Sequence, residues 1–115
     1  MNPPIIEKIV DLIVPLVEPD QIVLFGSYAR GDYNESSDVD LLVIKKGLDD
    51  EDATIDKIYY SFLGKNLEVD VDVLAIDYNR YLELNDDIGY IYRTIKREGK
   101  VVYELSWRVA KKSEI

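Results

Sequence analysis

The apolar residues of this chain change period several times within 115 positions, and that switching restricts the fold more than any other feature. Ile5, Ile6, Ile9, Leu12, Ile13 and Leu16 recur at helical spacing behind Pro3 and Pro4, which suit a helix start, so a helix is expected over 3–17. Gln21 to Phe25 is a short β-rich run that stops at Gly26, and Val39 to Ile44 is a second, interrupted only by Asp40. Asp49 to Asp52 then places four acids before Ile55, Ile58, Tyr59, Phe62 and Leu63 at helical spacing, which puts the acids in a first helical turn, where the helix dipole favours them. A third strand is expected from Leu67 to Ile76, with Val69, Val71 and Val73 on one face and Glu68, Asp70, Asp72 and Leu74 on the other. Asp77 is placed to cap a short helix through Tyr81 and Leu84. Asp86 or Asp87 is placed to cap another, with Ile88, Ile91, Tyr92 and Ile95 as its buried stripe. Gly99 suits the end of that helix, and Val101 to Tyr103 reads as a last short strand. The expected fold class is α/β (α+β): a small mixed sheet flanked by helices, in a single domain whose core spans about 5–104 and whose basic tail is 105–115.

Composition narrows the chemistry. The chain has neither Cys nor His, which excludes disulfides, thiolate nucleophiles, imidazole bases and zinc sites built on those residues. Catalysis would rest on carboxylates, hydroxyls and basic side chains. The net charge of −9 divides into −13 over residues 1–89 and +4 over 90–115, a balance that argues against direct nucleic acid binding. Apolar runs are too short for a membrane span, and the amino end carries no basic segment, so no membrane association and a cytoplasmic location are expected.

Several residues break local preference. Gly26 and Ser27 close a strand, Asp38 and Asp40 open the next, and Asp70 and Asp72 sit within a third. Side chains two apart on a strand share a face, so Asp38 and Asp40 can bracket a hard cation, and an acid of the third strand joins them if that strand lies alongside. Three such carboxylates repel unless a divalent cation neutralises them, and Mg²⁺ accepts oxygen ligands together with substrate phosphates. A glycine lets backbone approach a ligand closely, so the Gly26-Ser27 turn is suited to a phosphate.

Gly26-Ser-Tyr-Ala-Arg-Gly31 followed by Ser36-Ser-Asp-Val-Asp-Leu41, with hydrophobic strands around them and a later acid-bearing strand, resembles the signature of the DNA polymerase β-like nucleotidyltransferase superfamily. The short length and the stretch Arg97 to Glu104 resemble its minimal nucleotidyltransferases (MNT), the MntA-type antitoxins of HEPN/MNT toxin–antitoxin pairs. The resemblance covers about residues 5–104. It implies the polymerase β-like fold, ATP as substrate, two Mg²⁺ sites and transfer of AMP to a hydroxyl, a tyrosine of a partner HEPN toxin. Carried onto this sequence, it gives Gly26, Ser27 and Arg30 the nucleotide, and Asp38, Asp40 and Asp72 the metals and the catalysis, with Asp70 as the alternative third ligand. Tyr28 is a candidate to stack on the base, and the basic end with Trp107, Arg108, Lys111 and Lys112 a candidate docking segment. The competing readings are a small-molecule, aminoglycoside-type nucleotidyltransferase subunit and a non-catalytic antitoxin that neutralises by binding alone.

Overall fold

A computed structural model describes residues 2–84 and 90–107 of the chain. Helix α1 (Pro4–Val17) begins with proline at its first position and ends at Glu18 in the left-handed conformation. Strand β1 (Gln21–Phe25) leads into the one-turn helix α2 (Ser27–Arg30), and a loop returns the chain to β2 (Val39–Lys45). Helix α3 (Glu51–Phe62), strand β3 (Val71–Asp77), helices α4 (Tyr78–Glu83) and α5 (Tyr90–Glu98) and strand β4 (Lys100–Glu104) follow. The expected caps at Asp86 or Asp87, the stripe residue Ile88, and the tail residues Arg108, Lys111 and Lys112 lie outside the described residues.

The four strands form one mixed sheet in the order β3-β2-β1-β4. β1 pairs antiparallel with both β2 and β4, whereas β2 and β3 run parallel. Strand periodicity divides the core. Ile22 and Leu24 of β1, Leu41 and Val43 of β2, and Val73 and Ala75 of β3 pack with Ile6, Ile9 and Ile13 of α1 and Ile58 of α3 on one face. Val23, Phe25, Leu42, Ile44 and Ile76 take the other face with Ile95 of α5, and Tyr78 and Tyr81 of α4 pack against them. The mixed sheet between helical layers is the expected class. Among the described residues no helix is long and apolar enough to cross a membrane.

The third strand is shorter than expected. Gly64, Asn66 and Glu68 have φ of +75°, +51° and +64°, so the chain is still turning at Glu68 and pairing begins at Val71. The alternation of Val and acid continues upstream, but β2 starts at Val39, opposite Val71, and a strand has nothing to pair with beyond the start of its neighbour. Glu68 and Asp70 therefore lie before the strand, and Asp72 lies in it.

Asp77 caps α4 as its position suggested. One carboxylate oxygen accepts the amides of Asn79 and Arg80 at 3.0 and 3.3 Å, and the other accepts those of Gly47 and Leu48 at 2.9 and 3.1 Å. Burial pushes its pKa up, but these four backbone donors outweigh burial and hold it below the ordinary carboxylate value. Asp50 caps α3 by accepting the Ala53 amide at 2.9 Å, with Glu51 and Asp52 in the first turn.

Candidate active site

Three strand ends meet at the sheet edge where β1 finishes and β2 and β3 begin. Asp40 stands opposite Phe25 of β1 on one side and beside Asp72 of β3 on the other. Both acids belong to the face that carries Leu42, Ile44 and Ile76, one step beyond the helices that cover those residues. A strand that continues apolar for the core thus presents its first inward position as an acid.

Gly26 is fitted to Asp40. Its φ of 73° and ψ of −156° belong to a region open essentially to glycine alone, and a Cβ at this position would overlap the Asp40 carboxylate. The chain then enters α2, where the amides of Ala29 and Arg30 turn back onto the Gly26 carbonyl at 3.0 and 3.1 Å. Ser27 opens this turn next to the acids.

Asp38 is exposed just before β2 and is held by a self-tied loop. The Asn34 side-chain oxygen accepts from the Ser36 amide and hydroxyl at 2.8 and 2.7 Å, and the Asn34 amide donates to the Ser37 hydroxyl at 2.9 Å. The same loop is pinned by Tyr33, whose ring stacks on Tyr28 at 4.1 Å between centroids and 9° between planes. Tyr28 already has an aromatic partner from this chain.

The charges gathered here act on Asp40. Burial, then the negative charges of Asp72 and Asp38 and a hydrogen bond with Asp72, push its pKa up to about 6, against a smaller opposing effect of Arg30. Among the described residues no group of three acids is closed up as a metal cage. The donor set is nonetheless all oxygen, and Asp40 is a half-buried carboxyl beside two further acids, a chemistry that fits a hard divalent cation.

Arg30 projects from α2 at the surface, where it is paired with two acids. Its Nε bonds Asp32 and one terminal nitrogen bonds Glu98 at the end of α5, both at 3.2 Å. These two hydrogen bonds raise its pKa above the ordinary value. Sequence reading did not anticipate Glu98 in this role, because the pairing spans 68 positions and leaves no local signal.

Asp70 is exposed, and its carbonyl accepts the Val39 amide at 2.8 Å, which fixes the start of the β2–β3 pairing. A hollow of about 550 Å³ runs from Asp38, Asp70 and Asp72 to a wall of Tyr59, Phe62, Leu67 and Val69. Tyr59 and Phe62 have the helical spacing of core residues, and only the tertiary placement of α3 beside β3 brings them to the acids.

A family model for the nucleotidyltransferase domain matches residues 5–102. The chain belongs to this family of nucleotidyl-transferring enzymes. A protein of Methanocaldococcus jannaschii named as a proposed protein adenylyltransferase is 34% identical over 84 residues, 72% of this chain and 77% of that protein. Another so named from the same organism is 67% identical over 27 residues, which are 24% of this chain and 27% of that protein. Among solved structures, a toxin–antitoxin complex with AMP-PNP is matched with a TM-score of 0.63 at 21% identity, over 85% of this chain and 72% of that one. The toxin–antitoxin MntA-HpeT, in a variant with two aspartates changed to glutamate, gives a TM-score of 0.62 at 19% identity, with the same coverage. A structure from Sulfolobus solfataricus named as a proposed nucleotidyltransferase gives 0.59 at 19% identity, over 87% of this chain and 78% of that one. The last three likenesses establish the nucleotidyltransferase fold.

Proposed function

We propose that this chain transfers AMP from ATP to a protein hydroxyl, a tyrosine of a HEPN-type helical toxin, and so serves as that toxin's antitoxin. The observation that carries the reading is the pairing of Asp40 with Asp72 across β2 and β3, with Gly26 pressed against Asp40 from β1. Protein adenylyltransferase is the activity named for the relative matched over 77% of its length, and toxin–antitoxin assemblies are among the structures of like fold.

Asp38, Asp40 and Asp72 would hold Mg²⁺, which when bound supplies counter-charge to the phosphate oxygens and to the carboxylates themselves. The Gly26-Ser27 turn would seat the triphosphate, with the missing Cβ leaving room for the Asp40 carboxylate to stand directly beside that turn. Arg30 would exchange Asp32 and Glu98 for phosphate oxygens, a trade between partners of the same charge. The acceptor oxygen bonds to the α-phosphorus, the bond from that phosphorus to the β-phosphate oxygen breaks, and pyrophosphate leaves. The acceptor proton passes to the Asp72 carboxylate, which lies nearest the open edge of the sheet.

The test is transfer of label to protein from ATP labelled at the α-phosphate, run beside ATP labelled at the γ-phosphate. Label arriving only from the α position, dependent on Mg²⁺ and lost in Asp40→Asn, is expected. Label from the γ position, or α-label transfer that survives in Asp40→Asn, would refute the reading.

A further inference from the structure

The sheet order β3-β2-β1 sets the Gly26-Ser27 turn and the start of β3 on opposite sides of Asp40. In an in-line displacement the attacking and leaving oxygens also lie on opposite sides of the phosphorus. If the triphosphate sits at the β1 end, the acceptor has to arrive from the β3 side, and the structure holds a groove there.

That groove differs in chemistry from the phosphate turn. Its floor is Asp38, Asp70 and Asp72, and its wall is Tyr59, Phe62 and Leu67. The Tyr59 hydroxyl accepts the Val73 amide at 2.8 Å, so the ring is fixed to β3 as part of the wall. A second hollow of about 530 Å³ continues past Asp38 and Asp70 to Glu35 and Glu68, so the two together make a channel longer than one side chain requires. No Lys or Arg lines either hollow among the described residues. Tyr60 and Leu63, each next in sequence to a wall residue, are exposed at 78% and 70%.

We propose that this groove seats the acceptor, and that its occupant is a polypeptide segment presenting its hydroxyl-bearing residue between basic flanks. The proposal rests on the nucleotidyl-transfer reading above for its direction of approach. The carboxylates of Glu35, Glu68 and Asp70, which hold no metal in the reading above, repel a triphosphate and attract cations, which separates the acceptor path from the nucleotide path. The aromatic and aliphatic wall asks for apolar side chains as well as charge, which a segment of protein supplies and a simple polyamine does not. Continuity with Asp38 and Asp72 brings anything lying in the groove to the carboxylate that takes the proton.

The test is a nucleotide-free binding titration of the full chain, followed by amide NMR, with a synthetic peptide carrying one tyrosine between leucine and lysine flanks. Expected are shifts at Tyr59, Phe62, Leu67 and Val69, no binding of the same peptide with glutamate flanks, and at least fivefold weaker binding to Glu68→Lys. Glu68 is exposed, so this variant keeps the fold, and an unchanged melting temperature verifies it. Phe62→Ala should weaken binding comparably. Equal binding of the two peptides, shifts confined to another surface, or an unchanged Kd in Glu68→Lys would overturn the proposal. Spermine binding as tightly with the same shifts would also overturn it, by making the groove a reader of charge alone. Nucleotide is absent throughout, so failure of the transfer chemistry would leave this result standing, and successful α-label transfer with a silent groove would reject the groove alone.

Discussion

Replacing Asp40 with asparagine should stabilise the metal-free protein. In the folded chain burial and the charges of Asp72 and Asp38 move the Asp40 pKa from 3.8 to about 6. A carboxyl pKa raised this far corresponds to about 3 kcal/mol at pH values above both the folded and the unfolded pKa. Asp40 is only half-buried, and solvent screening reduces the expected gain to about 1–2 kcal/mol. With an unfolding entropy of roughly 2.1 cal/mol/K per residue, this raises the melting temperature by about 4–8 °C. The pH dependence has a definite sign. A carboxyl whose folded pKa is raised opposes folding above about pH 6 and stops doing so as pH falls through 6 toward 4, so the advantage of the variant should vanish by about pH 4. The assay is thermal unfolding of both proteins in a chelator from about pH 8 to pH 4, taking the difference at each pH. Added Mg²⁺ should then raise the melting temperature of the wild type and leave that of the variant nearly unchanged. A variant less stable than the wild type at about pH 8 would refute the reasoning, because Asp40 would then be a structural acid.

The remaining expectations concern the neighbours of Asp40 and the cap at the far end of β3. Asp72→Ala should lose far more transfer activity than Asp70→Ala, as measured with α-labelled ATP, and the reverse order would move the third ligand to Asp70. Asp77→Ala removes the acceptor of four amides and should lower the melting temperature by several degrees, whereas an unchanged melting temperature would mean the cap is dispensable. Gly26→Ala should abolish nucleotide binding and lower the melting temperature, since the added methyl meets Asp40 and the backbone conformation is strained; calorimetry showing wild-type ATP affinity would contradict this. Glu98→Gln releases one of the two acidic partners of Arg30 and should tighten ATP binding by roughly two- to fivefold at low salt, whereas weaker binding would mean that Glu98 positions Arg30 for phosphate.

Most of the frame was legible because periodicity and caps are local signals. The stripe from Ile5 to Leu16, the short runs at 21–25 and 39–44, and the cap at Asp77 all have a readable pattern within a few residues, whereas of the four acids expected in the first turn of α3 only Glu51 and Asp52 lie there, Asp50 being its cap and Asp49 preceding it. That β3 lies beside β2 was anticipated only as a condition, and the structure supplies it, with the two strands parallel and Asp40 and Asp72 in register. What the pattern could not reveal is where pairing starts. Val69 and Asp70 continue the alternation of β3, yet lie before its first residue opposite β2, where the Asp70 carbonyl makes the opening bond to the Val39 amide. The link between Arg30 and Glu98 and the wall made by Tyr59 and Phe62 depend on tertiary placement, which no short window of sequence encodes.

The central claim is metal-dependent adenylylation of a partner by the carboxylates at the start of β2 and β3. Intact-mass spectrometry of the helical toxin after incubation with this protein, ATP and Mg²⁺ tests it most directly, with Asp38→Asn/Asp40→Asn alongside. The account requires mass increases in steps of about 329 Da, the AMP unit, with the wild type and none with the double variant. An unmodified toxin that still forms a complex with the wild-type protein would contradict it and leave neutralisation to binding.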